Sequence, residues 1–173
     1  MGQVSYYTTG TFSGSACSVS SAGNNDVVCT AGSDSVEFIS ATQSGSDYLW
    51  LGSLNVISGG QGSVNFSGES FDLSIYQTSP TPTSGNPGTF IGSLAGTLTG
   101  STSSLSWDPS ITTVTIVSGS QSSTYTLTAD PLVLPVGDTD IAADLTQSPE
   151  PSSLALLGCG LLGLARFARR FVK

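Results

Sequence analysis

Hydrophobic and polar positions alternate with a period of two through most of the chain. Phe71, Leu73 and Ile75 interleave with Asp72, Ser74 and Tyr76; Tyr125 and Leu127 with Thr124, Thr126 and Thr128; Ile141, Ala143 and Leu145 with Asp140, Ala142, Asp144 and Thr146. Phe90, Leu94 and Leu98 share one parity with Gly92 and Gly96, a face on which two sheets can approach closely. Alternation sends successive side chains to opposite faces, which is the signature of a half-buried strand. Further strands are expected at Val4–Phe12, Val27–Thr30, Val36–Ala41, Tyr48–Ile57, Ser63–Phe66 and Ile111–Val117. Between them lie turn-forming clusters at Gly23-Asn24-Asn25-Asp26, Gly59-Gly60-Gln61-Gly62, Pro80–Pro87 and Asp108-Pro109. Many short strands with frequent Gly/Ser/Pro turns predict an all-β domain, an antiparallel β-sandwich or barrel-like structure, over residues 1–146. No amphipathic helix is visible before Ser152.

Composition sharpens this picture. Of 173 residues, 32 are Ser, 20 Thr and 21 Gly, only 9% are charged, and histidine is absent. A His-based catalyst or His-ligated metal is thereby excluded, and a hydrophobic content of 38% argues against wholesale disorder. Ser and Thr on the outer faces would keep so weakly charged a strand protein soluble. The charge is also segregated. All 12 acids lie between Asp26 and Glu150, and all 4 cations in the last eight residues, at Arg166, Arg169, Arg170 and Lys173. The net charge of −8 is therefore −12 over residues 1–150 and +4 in the tail. Such a body repels phosphate backbones, so no nucleic-acid partner is expected. A division of this kind fits a membrane boundary.

The tail, residues 147–173, reads as three parts in order. Pro149-Glu150-Pro151 comes first. After Ser152-Ser153 follows an uncharged apolar run: Leu154, Ala155, Leu156, Leu157, Gly158, Cys159, Gly160, Leu161, Leu162, Gly163, Leu164 and Ala165. The basic cluster of Arg166, Arg169, Arg170 and Lys173 ends the chain as given. A helix from Pro151 to Ala165 spans about 22 Å against a hydrocarbon core of about 30 Å. Continuing through Phe167 and Ala168 extends it to about 27 Å with Arg166 snorkelling to the headgroups. A single short transmembrane helix in a locally thinned bilayer is predicted, its Arg end cytoplasmic and the body outside. The alternative is a C-terminal helix packed into the β-domain.

These residues resemble the PEP-CTERM sorting signal of exosortase-dependent bacteria. The resemblance implies export by the general secretory route and inner-membrane retention by the tail. It also implies cleavage near Pro149-Glu150-Pro151 by an exosortase, a membrane-embedded cysteine-type transpeptidase. The mature body would then be released or attached at the cell surface, often within an exopolysaccharide-producing envelope. The chain would be the substrate of that chemistry. Two prolines block helix and ladder hydrogen bonding, which keeps the site extended and accessible. The opening MGQVSYYTTG departs from the family pattern: it holds no basic-then-apolar signal peptide, and Tyr6 occupies the position a myristoylation signal reserves for Ser or Thr. Cys159 is read as a small apolar filler.

Within the body, Cys17 and Cys29 are symmetric about Gly23. If Ala16–Val19 pairs with Asp26–Thr30 across the Gly-Asn-Asn turn, the cysteines face each other and can form a disulfide, consistent with an oxidising compartment. Free buried thiols are the alternative. No metal or cofactor is expected. Asp138, Asp140 and Asp144 share a parity and could gather Ca²⁺, but the spacing lacks an EF-hand glycine and closing Glu, which favours a solvated acidic face. Trp50 and Trp107, with Tyr6, Tyr7 and Tyr48, could form a sugar-stacking platform, or serve as core and cross-strand pairs. Asn65-Phe66-Ser67 is a formal glycosylation sequon. The echo of TGTFSGS (9–15) in PGTFIGS (87–93) does not establish a repeat. The expected function is non-enzymatic: an exported cell-surface or extracellular-matrix β-domain carrying its own sorting signal. An exopolysaccharide-binding module with the same signal is the alternative, and a secreted carboxylate hydrolase a third.

Overall fold

Thirteen strands realise the period-two pattern in a computed structural model that describes residues 2–59, 65–95, 103–108, 110–148 and 159. They are β1 (Val4–Ser13), β2 (Ser18–Gly23), β3 (Asp26–Ala31), β4 (Asp34–Ser40), β5 (Thr42–Gly45), β6 (Tyr48–Ile57), β7 (Ser70–Ser79), β8 (Gly88–Ala95), β9 (Ser103–Trp107), β10 (Thr113–Ser118), β11 (Gln121–Leu127), β12 (Leu132–Leu134) and β13 (Gly137–Gln147). Two antiparallel sheets form, ordered β12-β9-β8-β7-β1-β5 and β10-β11-β13-β6-β4-β3-β2. They pack face to face as a sandwich, with β1 over β3 and β4 and β8 over β10. Ser63 and Val64 of the expected strand Ser63–Phe66 lie outside the described residues; Asn65 makes an isolated bridge and Phe66 is buried.

The inward positions of each strand meet in one core. At its centre Phe71 packs against Phe12 and Phe38, with ring centroids 4.8 and 5.2 Å apart. Phe38 needs space that only glycine leaves. A Cβ on Gly10 would sit 2.5 Å from its ring, and one on Gly52 would sit 2.7 Å from it. Gly52 also holds φ +126°, a conformation L side chains rarely adopt. The outer faces carry hydroxyl pairs: Ser13 with Ser70 at 2.5 Å, Ser74 with Thr89 at 2.9 Å, and Thr115 with Thr124 at 3.0 Å. These cross-strand ladders supply the polar surface that charged residues provide elsewhere.

One crossover explains the buried hydroxyls of Tyr6 and Thr8. The chain leaves β4 in one sheet and enters β5 in the other through the single residue Ala41. Pairing of β4 with β6 ends at Ser40 opposite Gly52, and a bulge against β13 leaves Leu51 without an opposite residue. The carbonyls of Trp50 and Leu51 are instead reached from the facing sheet. The Tyr6 hydroxyl donates to Trp50 O at 2.6 Å and the Thr8 hydroxyl to Leu51 O at 2.8 Å. Thr8 Oγ1 in turn accepts the Ala41 N–H at 2.8 Å, and the Thr8 N–H donates to Ala41 O at 2.9 Å. A second bridge runs through buried Gln77, whose Oε1 accepts from the Tyr125 hydroxyl at 2.8 Å and whose Nε2 donates to Pro80 O and Ser118 Oγ. Burial pushes the Tyr6 hydroxyl up to about 12, and burial with repulsion from Tyr6 raises Tyr125 further.

Candidate functional site

The last strand delivers the chain directly to its sorting segment. β13 lies inside its sheet, paired with β11 along Ala143–Gln147 and with β6 along Gly137–Asp144. Gln147, expected to begin the tail, is the final strand residue and pairs with Ser123. Ser148 is still tied down, its N–H donating to Ser122 O at 3.0 Å. Pro149 follows at once, so no free linker separates the folded body from Pro149-Glu150-Pro151. The motif itself, the apolar run and Arg166, Arg169, Arg170 and Lys173 lie outside the described residues, except Cys159, which is exposed and unpaired. The predicted transmembrane helix falls there too. Among the described residues no helix is long and apolar enough to cross a membrane.

The side chains of Tyr6, Tyr7, Tyr48 and Trp50 do not converge on one platform. Tyr6 points into the core, its hydroxyl on Trp50 O. Trp50 is half-buried and packs against the core, and its indole N–H donates to Asp140 Oδ1 at 2.8 Å. Trp107 ends β9 opposite Gly92. Tyr48 opens β6 and is 64% exposed on the other sheet from Tyr7. The pairing that does form joins Tyr7 to Tyr76, a residue not anticipated. They are directly opposite on β1 and β7, and their rings stack in parallel with centroids 4.8 Å apart.

The two body cysteines form a disulfide, with Cα atoms 5.4 Å apart. The register differs from a symmetric hairpin about Gly23. Asn24 and Asn25 make the turn with φ of 50° and 71°, as a two-residue hairpin requires, and a bulge between Ser21 and Gly23 puts Val19 opposite Cys29. Cys17, just before β2, therefore reaches Cys29 diagonally. Buried Glu69 closes over this bridge. One carboxylate oxygen accepts the Ala16 N–H, while the other lies 3.5 Å from Cys17 Sγ. The second is a contact only, because a disulfide sulfur carries no proton. Cys17, Cys29 and Glu69 bring their donor atoms within 4.8 Å, a soft-metal geometry, but both sulfurs are consumed by the bond between them.

The three aspartates of β13 do not gather. All are exposed, Asp138 opposite Asn55, Asp140 opposite Ser53 and Asp144 opposite Tyr48. Asp144 lies four residues, about 13 Å of strand, beyond Asp140, and Asp140 already serves Trp50. Two carboxylates that sequence did not single out are buried: Glu69, and Asp34, whose Oδ1 accepts the Gly59 N–H at 2.7 Å. Spacing alone gave no signal for them, since both read as members of a scattered acidic set.

The family model of the PEP-CTERM protein-sorting motif matches residues 149–170. No curated protein and no solved structure matches the chain. The chain thus carries a PEP-CTERM sorting motif, beginning one residue after the last backbone hydrogen bond described for β13. Such a motif implies export, association with the cell envelope, and an exosortase as processing partner.

Proposed function

We propose, on the premise that residues 149–170 are a PEP-CTERM sorting motif, that this is an exported surface or matrix β-domain with a structural or interaction role and no enzymatic activity. Export is followed by retention through the apolar run Leu154–Ala165, cleavage by an exosortase near Pro149-Glu150-Pro151, and delivery of the disulfide-bonded sandwich to the cell surface. One observation carries this reading. The motif begins at the end of an interior strand, so cutting there frees the whole body and leaves β13 intact. The folded portion adds a disulfide suited to an oxidising compartment and a surface of hydroxyl ladders. The buried carboxylate Glu69 is engaged by backbone and covered by the disulfide, an arrangement that supports a structural rather than a catalytic role.

Intact-mass and C-terminal peptide mapping of protein recovered from native cells tests the proposal. A terminus within Pro149–Pro151 is expected. Recovery solely of chains ending at Lys173 would overturn it. A second reading, a module that binds envelope polysaccharide, is supported by exposed Tyr48 and by the half-buried, stacked pair of Tyr7 and Tyr76. Trp50 supports it less than its residue type suggests, because its indole is held by Asp140.

A further inference from the structure

The outer face of the six-stranded sheet holds a depression of about 240 Å³ where β5, β1 and β7 meet. It is bordered by Ser5, Tyr7, Thr42, Gln43, Ser44 and Thr78. A bulge creates it. Ser5 pairs with Ser79 and Tyr6 with Gln77, so Thr78 is an extra residue on β7, and its hydroxyl turns to donate to Ser5 O at 3.0 Å. Bulges re-aim side chains in this way beside binding sites.

We infer that this depression is a subsite for one neutral sugar ring of a polysaccharide, with Tyr7 as its stacking wall. This inference rests on the glycan-binding reading and gives it a location other than Trp50 or Trp107. Tyr76 stacks on one face of Tyr7 and does not border the depression, so it backs the ring and fixes it before any ligand arrives. Preorganisation of that kind removes an ordering cost from binding. The electron-rich face of an aromatic ring complements the weakly positive C–H face of a pyranose.

Around that wall stand groups a sugar's hydroxyls require. Ser5 and Ser44 share a hydrogen bond at 2.7 Å and keep further acceptor capacity. The side chain of Thr42, opposite Tyr7 and so on the same face, and the Tyr7 hydroxyl have no hydrogen-bond partner among the described residues and offer both donors and acceptors. The volume is below the roughly 300–1,000 Å³ of drug-sized sites and suits a single ring. Charge selects among sugars. No group bordering the depression is charged, and the body carries 12 acids over residues 1–150 with no Lys or Arg before Arg166. Uronate-bearing or phosphorylated polymers are therefore repelled and neutral ones admitted.

The test is amide NMR titration of the full-length chain in a zwitterionic, sugar-free detergent. Probes are neutral gluco-, manno- and galacto-tetrasaccharides and an oligogalacturonate, each taken to about 10 mM. At least one neutral probe should shift the amides of Ser5–Tyr7, Thr42–Ser44 and Thr78 saturably, and the oligogalacturonate should not. Tyr7→Leu should weaken binding at least tenfold and Tyr76→Leu less, with unchanged spectra elsewhere showing that both fold. Trp50→Phe should leave binding unaltered. Absence of shifts with every neutral probe overturns the inference, as does equal binding of the uronate. Shifts centred on Trp50 or Tyr48 also overturn this site, while leaving the broader glycan-binding reading in place.

Discussion

Thr8 is a single hydroxyl on which the sheet-to-sheet crossover depends, and replacing it with valine isolates that role. The side chain is fully buried, donates to Leu51 O and accepts from the Ala41 N–H, both at 2.8 Å. Valine keeps the shape and removes both bonds. Each backbone group left unpartnered in the interior costs about 1–3 kcal/mol, and the added apolar burial returns about 1 kcal/mol. The net expectation for Thr8→Val is a loss of about 1–5 kcal/mol. For a chain of this size that lowers Tm by about 2–20 °C. Thr8→Ser keeps the hydroxyl and loses one methyl, about 1 kcal/mol. The ordering is the sharp part: the smaller, polar substitution should be the milder one at a fully buried position. Thermal and urea unfolding of the full-length chain in mild detergent measures both. A Thr8→Val protein within about 0.5 kcal/mol of the parent, or one more stable than Thr8→Ser, would refute the account of the crossover.

Other expectations follow from neighbouring features. Replacing Cys17 and Cys29 together with alanine should cost about 3 kcal/mol, the loop-closure contribution of a bridge spanning 12 positions, read as a urea midpoint shift. Gly52→Ala should cost about 2–4 kcal/mol, because its Cβ would lie 2.5 Å from Ile39 O at a φ of +126°; a neutral effect in the same unfolding assay would contradict the Phe38 packing. Tyr6 and Tyr125 both have hydroxyls raised in the folded state, Tyr6 to about 12, whereas in the unfolded chain they ionise near 10. The unfolded chain releases those protons first, so their contribution is complete below about pH 10 and is lost as pH rises through the folded-state values. Urea midpoints should fall in that window while phenolate absorbance lags behind that of the denatured chain; simultaneous titration of all tyrosines without loss of structure would count against it.

The strands with one buried face were legible in the sequence. Tyr48–Ile57 has the same bounds as β6, and the alternations about Phe71, Tyr125 and Ile141 became strands, as did that about Phe90 as far as Ala95, Gly96 and Leu98 lying outside the described residues. What escaped were β2 and β5, which lack a buried stripe, and β9 and β12, which are too short for one or two buried leucines to show a period. β2 is exposed along its whole length and β5 is Thr-Gln-Ser-Gly at a sheet edge, so neither has an inner face to alternate against. β12 is three residues at a sheet edge between Pro131 and Pro135, where a flanking proline leaves the ladder unharmed. The sorting motif was legible because its chemistry is contiguous. The proposed sugar subsite was not. Trp50 and Trp107 stood out by type, but the fate of Trp50 was decided by Asp140, and the Tyr7–Tyr76 stack exists only through the register of β1 on β7.

The position of β13 has a mechanical consequence. In the membrane-held state proposed above, the tail would pull on a strand held by β6 along Gly137–Asp144 and by β11 along Ala143–Gln147. Its hydrogen bonds run across the strand axis, so they share the pull and must yield in shear together instead of unzipping one after another. A terminus on an edge strand would peel; this one is stitched into the fabric, and a pull on it is shared between two neighbouring strands.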